Sequence, residues 1–118
     1  MPTLRQAVDV GPNDGSRFQR VIALVDPDST FAVMPSTILS MLGVSPEWTA
    51  VFELSGGAHE ERPLAEIQLR INQVERTTVC VFGTPDSQPV LGKHTLDAFG
   101  LSVDETSKML VPGRFYLR

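Results

Sequence analysis

A chain of 118 residues that is 42% hydrophobic and 20% charged can form one compact domain with a packed core. With that composition disorder is not expected. The net charge of −4 argues against partners that reward clustered Lys and Arg, namely nucleic acid and anionic membrane surfaces. No apolar run approaches the roughly 20 residues of a membrane helix. Met1-Pro2-Thr3-Leu4-Arg5 is not followed by the apolar stretch of a signal peptide. The single cysteine, Cys80, excludes an intrachain disulfide, and with only His59 and His94 beside it a thiolate metal site is not expected. The expectation is one domain over residues 1–118, cytoplasmic, with no metal or cofactor.

In chain order, Thr3 to Val10 alternates loosely and stops at the turn cluster Gly11-Pro12-Asn13-Asp14-Gly15. Arg17 to Val25 reads as a strand. Its continuous apolar end, Val21 to Val25, predicts burial on both faces. Asp26-Pro27-Asp28-Ser29-Thr30 follows directly. Pro35 suits the first turn of a short helix carrying Ile38, Leu39, Met41 and Leu42, which Gly43 ends. Trp48 to Leu54 reads as a strand, with Ser55-Gly56-Gly57 as a flexible tip. Leu64 to Ile71 alternates clearly, and Thr77 to Phe82 is a buried strand holding Cys80 as a small core residue. Val90-Leu91-Gly92 leads to a second short helix ending at Gly100, then a hairpin around Val103-Asp104 and terminal strands. Leu39 to Ser45 and Leu96 to Ser102 echo one another as helix, glycine, apolar residue and serine. Such an echo is what two related halves would leave.

The segment from Ala23 through Val25-Asp26-Pro27-Asp28-Ser29-Thr30 to Pro35 resembles the active-site stretch of bacterial retropepsin-type aspartic proteases. That stretch reads apolar-apolar-Val-Asp-Thr-Gly-Ala-Thr and then Pro after three residues. Val90-Leu91-Gly92, the helix from Thr95 to Leu101, and Met109-Leu110-Val111-Pro112 resemble the family's second half. Ser55-Gly56-Gly57 falls where the family carries its flap tip. The resemblance spans nearly the whole chain. It implies an all-β subunit with two short helices, a closed β-barrel with a flap hairpin, pairing with a second copy about a twofold axis. It further implies that Asp26 of each copy meets the other. One carboxylate then activates water as general base, the other protonates the scissile carbonyl, and the two share a proton. Asp28, Ser29, Gly56 and Gly57 would contact a peptide or protein substrate.

Two positions beside Asp26 depart from the family pattern. Pro27 replaces a threonine whose hydroxyl bonds across the dimer axis, and proline supplies neither hydroxyl nor N–H. Asp28 replaces a glycine; aspartate tolerates a left-handed backbone, but a dimer would crowd four mutually repelling carboxylates near one axis. Both departures weigh against an ordinary dyad. An alternative is therefore an inactive dimeric module of the same fold, holding an extended peptide by strand addition. A remote alternative is a haloacid-dehalogenase-like phosphatase with Asp26 as nucleophile and Asp28 as acid/base, although no later paired acids complete its magnesium site. Asp26 and Asp28 could also hold a hard cation, against the simpler reading of Asp28 as a solvated turn residue.

The remaining candidates are modest. His59, with Glu60, Glu61 and Arg62, reads as the exposed flank of the flap. His94 reads as capping or packing its helix. Trp48 and Phe52 read as core rather than as a binding platform. Phe115-Tyr116-Leu117 reads as an apolar terminal strand, which in the resembling family helps to build the dimer interface.

Overall fold

Nine strands and two six-residue helices form the chain in the computed structural model, which describes residues 4–118. The start of the strand expected from Thr3, and Met1-Pro2, lie outside the described residues. Strand β1 (Arg5–Pro12) pairs antiparallel with β2 (Gln19–Val25), and β2 runs parallel to the short β7 (Val90–Leu91). Next to β7 lies β3 (Ala32–Pro35), which runs parallel to β6 (Val74–Gly83). The long β5 (His59–Ile71) pairs with β6 and also returns to β1 through Val10↔Leu69 and its neighbours. That last pairing closes a barrel of six strands. The seventh strand of the sheet, β4 (Trp48–Glu53), pairs only with β5 and projects beyond the barrel. A separate hairpin, β8 (Leu101–Asp104) and β9 (Met109–Pro112), follows the second helix.

Strand alternation fills the interior. Val8 and Val10, Val21, Ala23 and Val25, and Ile67, Leu69 and Ile71 all point inward and are buried, as a period of two requires. The expected burial of Val21 to Val25 on both faces is corrected: Ile22 is 52% exposed. A barrel wall one sheet thick has solvent outside it, so an apolar run there does not mean two covered faces. Trp48 is likewise not core; it is 42% exposed, because no layer lies behind β4. No strand follows Pro112, and Phe115-Tyr116-Leu117 is exposed rather than paired. Among the described residues no helix is long and apolar enough to cross a membrane.

The sequence echo has a structural counterpart. Helix α1 (Ser36–Met41) follows β3, helix α2 (Lys93–Ala98) follows β7, and each ends at a glycine with positive φ, Gly43 at 80° and Gly100 at 69°. Pro35 is the last residue of β3 and the N-cap of α1 rather than part of its first turn. Helix α2 is tied to the wall by a buried polar pair, Thr78 Oγ1 and Thr95 Oγ1 at 3.0 Å. Thr95→Val would take away the partner of the buried Thr78 hydroxyl. The expected cost is about 1–3 kcal/mol, with the double Thr78→Val, Thr95→Val change closer to neutral. Denaturant titration of the two single variants and the double variant measures both.

Cys80 sits in β6 at 0% exposure, and burial pushes its thiol from an ordinary 9.0 up to about 12. A raised acid pKa means that the folded state keeps the proton which the unfolded thiol loses first. The resulting stability is complete below pH 9.0 and is expected to be lost as pH climbs toward about 12. Comparing wild type with Cys80→Ala across that window isolates this slope from other titrating groups.

Candidate active site

Asp26 is the first residue beyond β2. Its backbone is held by the neighbouring strand: the Asp26 N–H donates to Leu91 O at 3.0 Å, and Asp26 O accepts the Ser29 N–H at 3.1 Å. The carboxylate turns back on its own loop, where Oδ1 accepts the Asp28 N–H at 3.0 Å. This aspartate turn uses the amide of the second residue onward, so the missing N–H of Pro27 costs it nothing. It also uses only the backbone of residue 28, which lets aspartate stand there. Asp28 is not among the described non-glycine residues with positive φ, which are Asn72, Gln73 and Lys108. The left-handed tolerance of aspartate is therefore not needed. Asp26 is half-buried and Asp28 exposed.

The loop after Asp26 is clamped by the start of α2. Ser29 O accepts the Lys93 N–H at 2.7 Å and Thr30 O accepts the His94 N–H at 2.9 Å, while Ser29 Oγ donates to Phe31 O at 3.1 Å. Two of the helix's otherwise unpaired N–H groups are thus spent on the loop. Gly92 makes this approach possible. A Cβ at that position would stand 2.6 Å from Ser29 O and collide with Phe31 O as well. His94 packs its ring on Phe31, with centroids 5.2 Å apart, in agreement with a packing role.

A cleft of about 400 Å³ opens beside this loop. Asp28, Ser29 and Phe31 form one wall, the β4–β5 hairpin contributes Phe52, Leu54 and Arg62, and Val81 and Phe82 lie at the end of β6. Phe31 and Phe52 meet edge to face at 6.2 Å and join the two walls. Phe52 is thus a cleft residue, not a core residue. Leu54 and Ala58 close the β4–β5 hairpin through a 2.7 Å backbone bond, and Gly56 and Gly57 occupy its tip with φ near 90°. The two glycines do not line the cleft in the single subunit, and neither does Asp26, whereas Asp28 and Ser29 do. His59 lies exposed at the start of β5. Sequence reading missed the cleft-facing position of Phe52, whose apolar character also suits a core. It also missed the clamping role of Lys93 and His94, because backbone donors leave no side-chain signature.

No protein-family model and no curated protein sequence matches the chain. Its structure is similar to that of the EIAV protease complexed with the inhibitor HBY-793, at a TM-score of 0.64. The match covers 83% of this chain and 88% of that one, at 15% sequence identity. The fold is that of a retroviral protease. A closed, mostly antiparallel barrel of this kind is not the alternating helix–strand, parallel-sheet layout that the phosphatase reading needs, and that reading is dropped. Among the described residues, no three His, Cys, Asp or Glu side chains converge to hold a metal ion.

Proposed function

We propose that the chain is one subunit of a homodimeric aspartic peptidase of the retropepsin type, in which Asp26 of each copy supplies half of the catalytic pair. The observation that carries this reading is the placement of Asp26. In a retroviral-protease fold, it sits at a buried strand end, on a loop clamped by α2, with its carboxylate oriented by the Asp28 N–H at 3.0 Å. One Asp26 carboxylate cannot serve at once as base and as acid, so a second copy has to supply the other. With both present, one takes a proton from water as it attacks the peptide carbonyl, and the other protonates the carbonyl oxygen. Asp28 and Ser29 form the substrate's floor on each side. The hairpin tip at Gly56 and Gly57 closes over the peptide and excludes water.

A second reading is favoured by one specific observation, the identity of residues 27 and 28. Pro27 cannot donate a hydroxyl across a dimer axis, and Asp28 brings an additional exposed charge beside Asp26. On that reading the dimer binds extended peptides without cutting them. Two measurements separate the readings. A strictly monomeric mass at high concentration would remove the paired mechanism. In a dimer, cleavage of unfolded protein from acidic to neutral pH, abolished by Asp26→Asn, supports the peptidase, whereas binding without cleavage supports the module.

A further inference from the structure

We infer that the cleft selects extended peptides carrying a cationic side chain, Lys or Arg, next to an apolar or aromatic one. The inference rests on the peptide-cleft reading proposed above and adds to it the class of ligand. In β4 and β5, Phe52 is directly opposite Glu60, and Ala50 opposite Arg62, so these residues share one face of the flap hairpin. That face lines the cleft, and Phe52, Glu60 and Arg62 are all half-buried there. Arg62 Nε donates to Glu60 Oε2, two residues away along the same face. The guanidinium is thereby committed to a carboxylate within the wall. It also holds Glu60 in place, leaving Oε1 free to accept.

Asp28 faces the same space from the opposite wall, and no ion pair among the described residues involves it. A third carboxylate, the exposed Glu53, also borders the cleft. The lining therefore holds three carboxylates and one guanidinium, which is paired with Glu60 and leaves Asp28 and Glu53 without an ion-pair partner among the described residues. Between them stand the Phe31 and Phe52 rings, whose faces and edges suit an apolar side chain or the stem of a lysine. An acidic peptide would meet uncompensated carboxylates in a partly dry trough; a cationic one completes them. In the wall near Gly83, Ser87 Oγ is buried and has no hydrogen-bond partner within the protein.

The test uses the full chain carrying Asp26→Asn, so that no peptide is consumed. Fluorescence anisotropy compares labelled hexapeptides identical except for Lys, norleucine or Glu beside a Phe. The Lys peptide is expected to bind about tenfold tighter than the norleucine peptide, with Glu weakest and the preference shrinking as salt rises. Glu60→Gln and Asp28→Asn are each expected to reduce the ratio of Lys to norleucine affinity severalfold. Equal binding of all three peptides would overturn the charge selection and leave the peptide cleft standing. Failure of all three to bind would overturn both.

Discussion

Replacing Asp26 by Asn is expected to lower peptide hydrolysis by about 10²–10⁴-fold while leaving the thermal unfolding temperature nearly unchanged. The two shapes are almost the same, and the Asp28 N–H can still donate to an amide oxygen at the position of Oδ1, so the loop keeps its turn. What disappears is the group that takes and returns the proton. The neighbours sharpen the prediction. Pro27→Thr with Asp28→Gly is expected to raise hydrolysis and to tighten the dimer. In the proposed dimer it would put a hydroxyl near the axis and remove two of the four carboxylates that would crowd there. Steady-state cleavage of one peptide by the three proteins, with sedimentation at matched concentrations, checks both effects. If the double variant cleaves no faster than wild type, and wild type is inert, residues 27 and 28 are not what limits activity.

The second large effect is expected at Gly92, which does not line the cleft. Gly92→Ala puts a methyl group 2.6 Å from Ser29 O and against Phe31 O, both of them backbone atoms that cannot swing aside. Either α2 or the loop from Ser29 to Phe31 then has to move. Overpacking of this kind costs about 1–3 kcal/mol. For a chain of this size that lowers the unfolding temperature by roughly 5–15 °C. The displaced loop also loses the Lys93 and His94 N–H bonds that hold its carbonyls. Activity is therefore expected to fall further than stability alone explains. Differential scanning calorimetry and activity measured well below the transition separate the two. Lys93→Ala serves as a control, since it removes a side chain from α2 but keeps its backbone donor.

Much of this arrangement was legible along the chain. Ile67, Leu69 and Ile71 alternate with Gln68 and Arg70, and all three apolar residues are buried in the barrel. Gly43 and Gly100 mark the ends of two helices that both form, each with positive φ. The order of elements from Leu24 to Pro112 pointed to the fold that the structural comparison supports. The errors share a cause. Ile22, Trp48 and Phe52 are apolar, and a local pattern cannot tell a residue facing the core from one on an uncovered barrel wall or a projecting hairpin. At the end of the chain, Phe115-Tyr116-Leu117 has strand-like composition, is exposed and has no strand beside it in the single subunit.

By itself, then, the sequence determined most of the strand segments, which side of most of them is apolar, and that an aspartate ends the apolar run Val21 to Val25. Those properties are local, because side-chain alternation and turn chemistry act over a few residues. Tertiary structure alone decided the closure of β1 on β5, the parallel contact of β2 with β7, and the clamp of α2 on the loop after Asp26. These rest on backbone N–H and C=O groups that every residue but proline carries alike, so nothing in residue identity announces which distant partner each will find. The same holds for the cleft, where Asp28, Phe52 and Glu60 become neighbours only once the hairpin has folded over the loop.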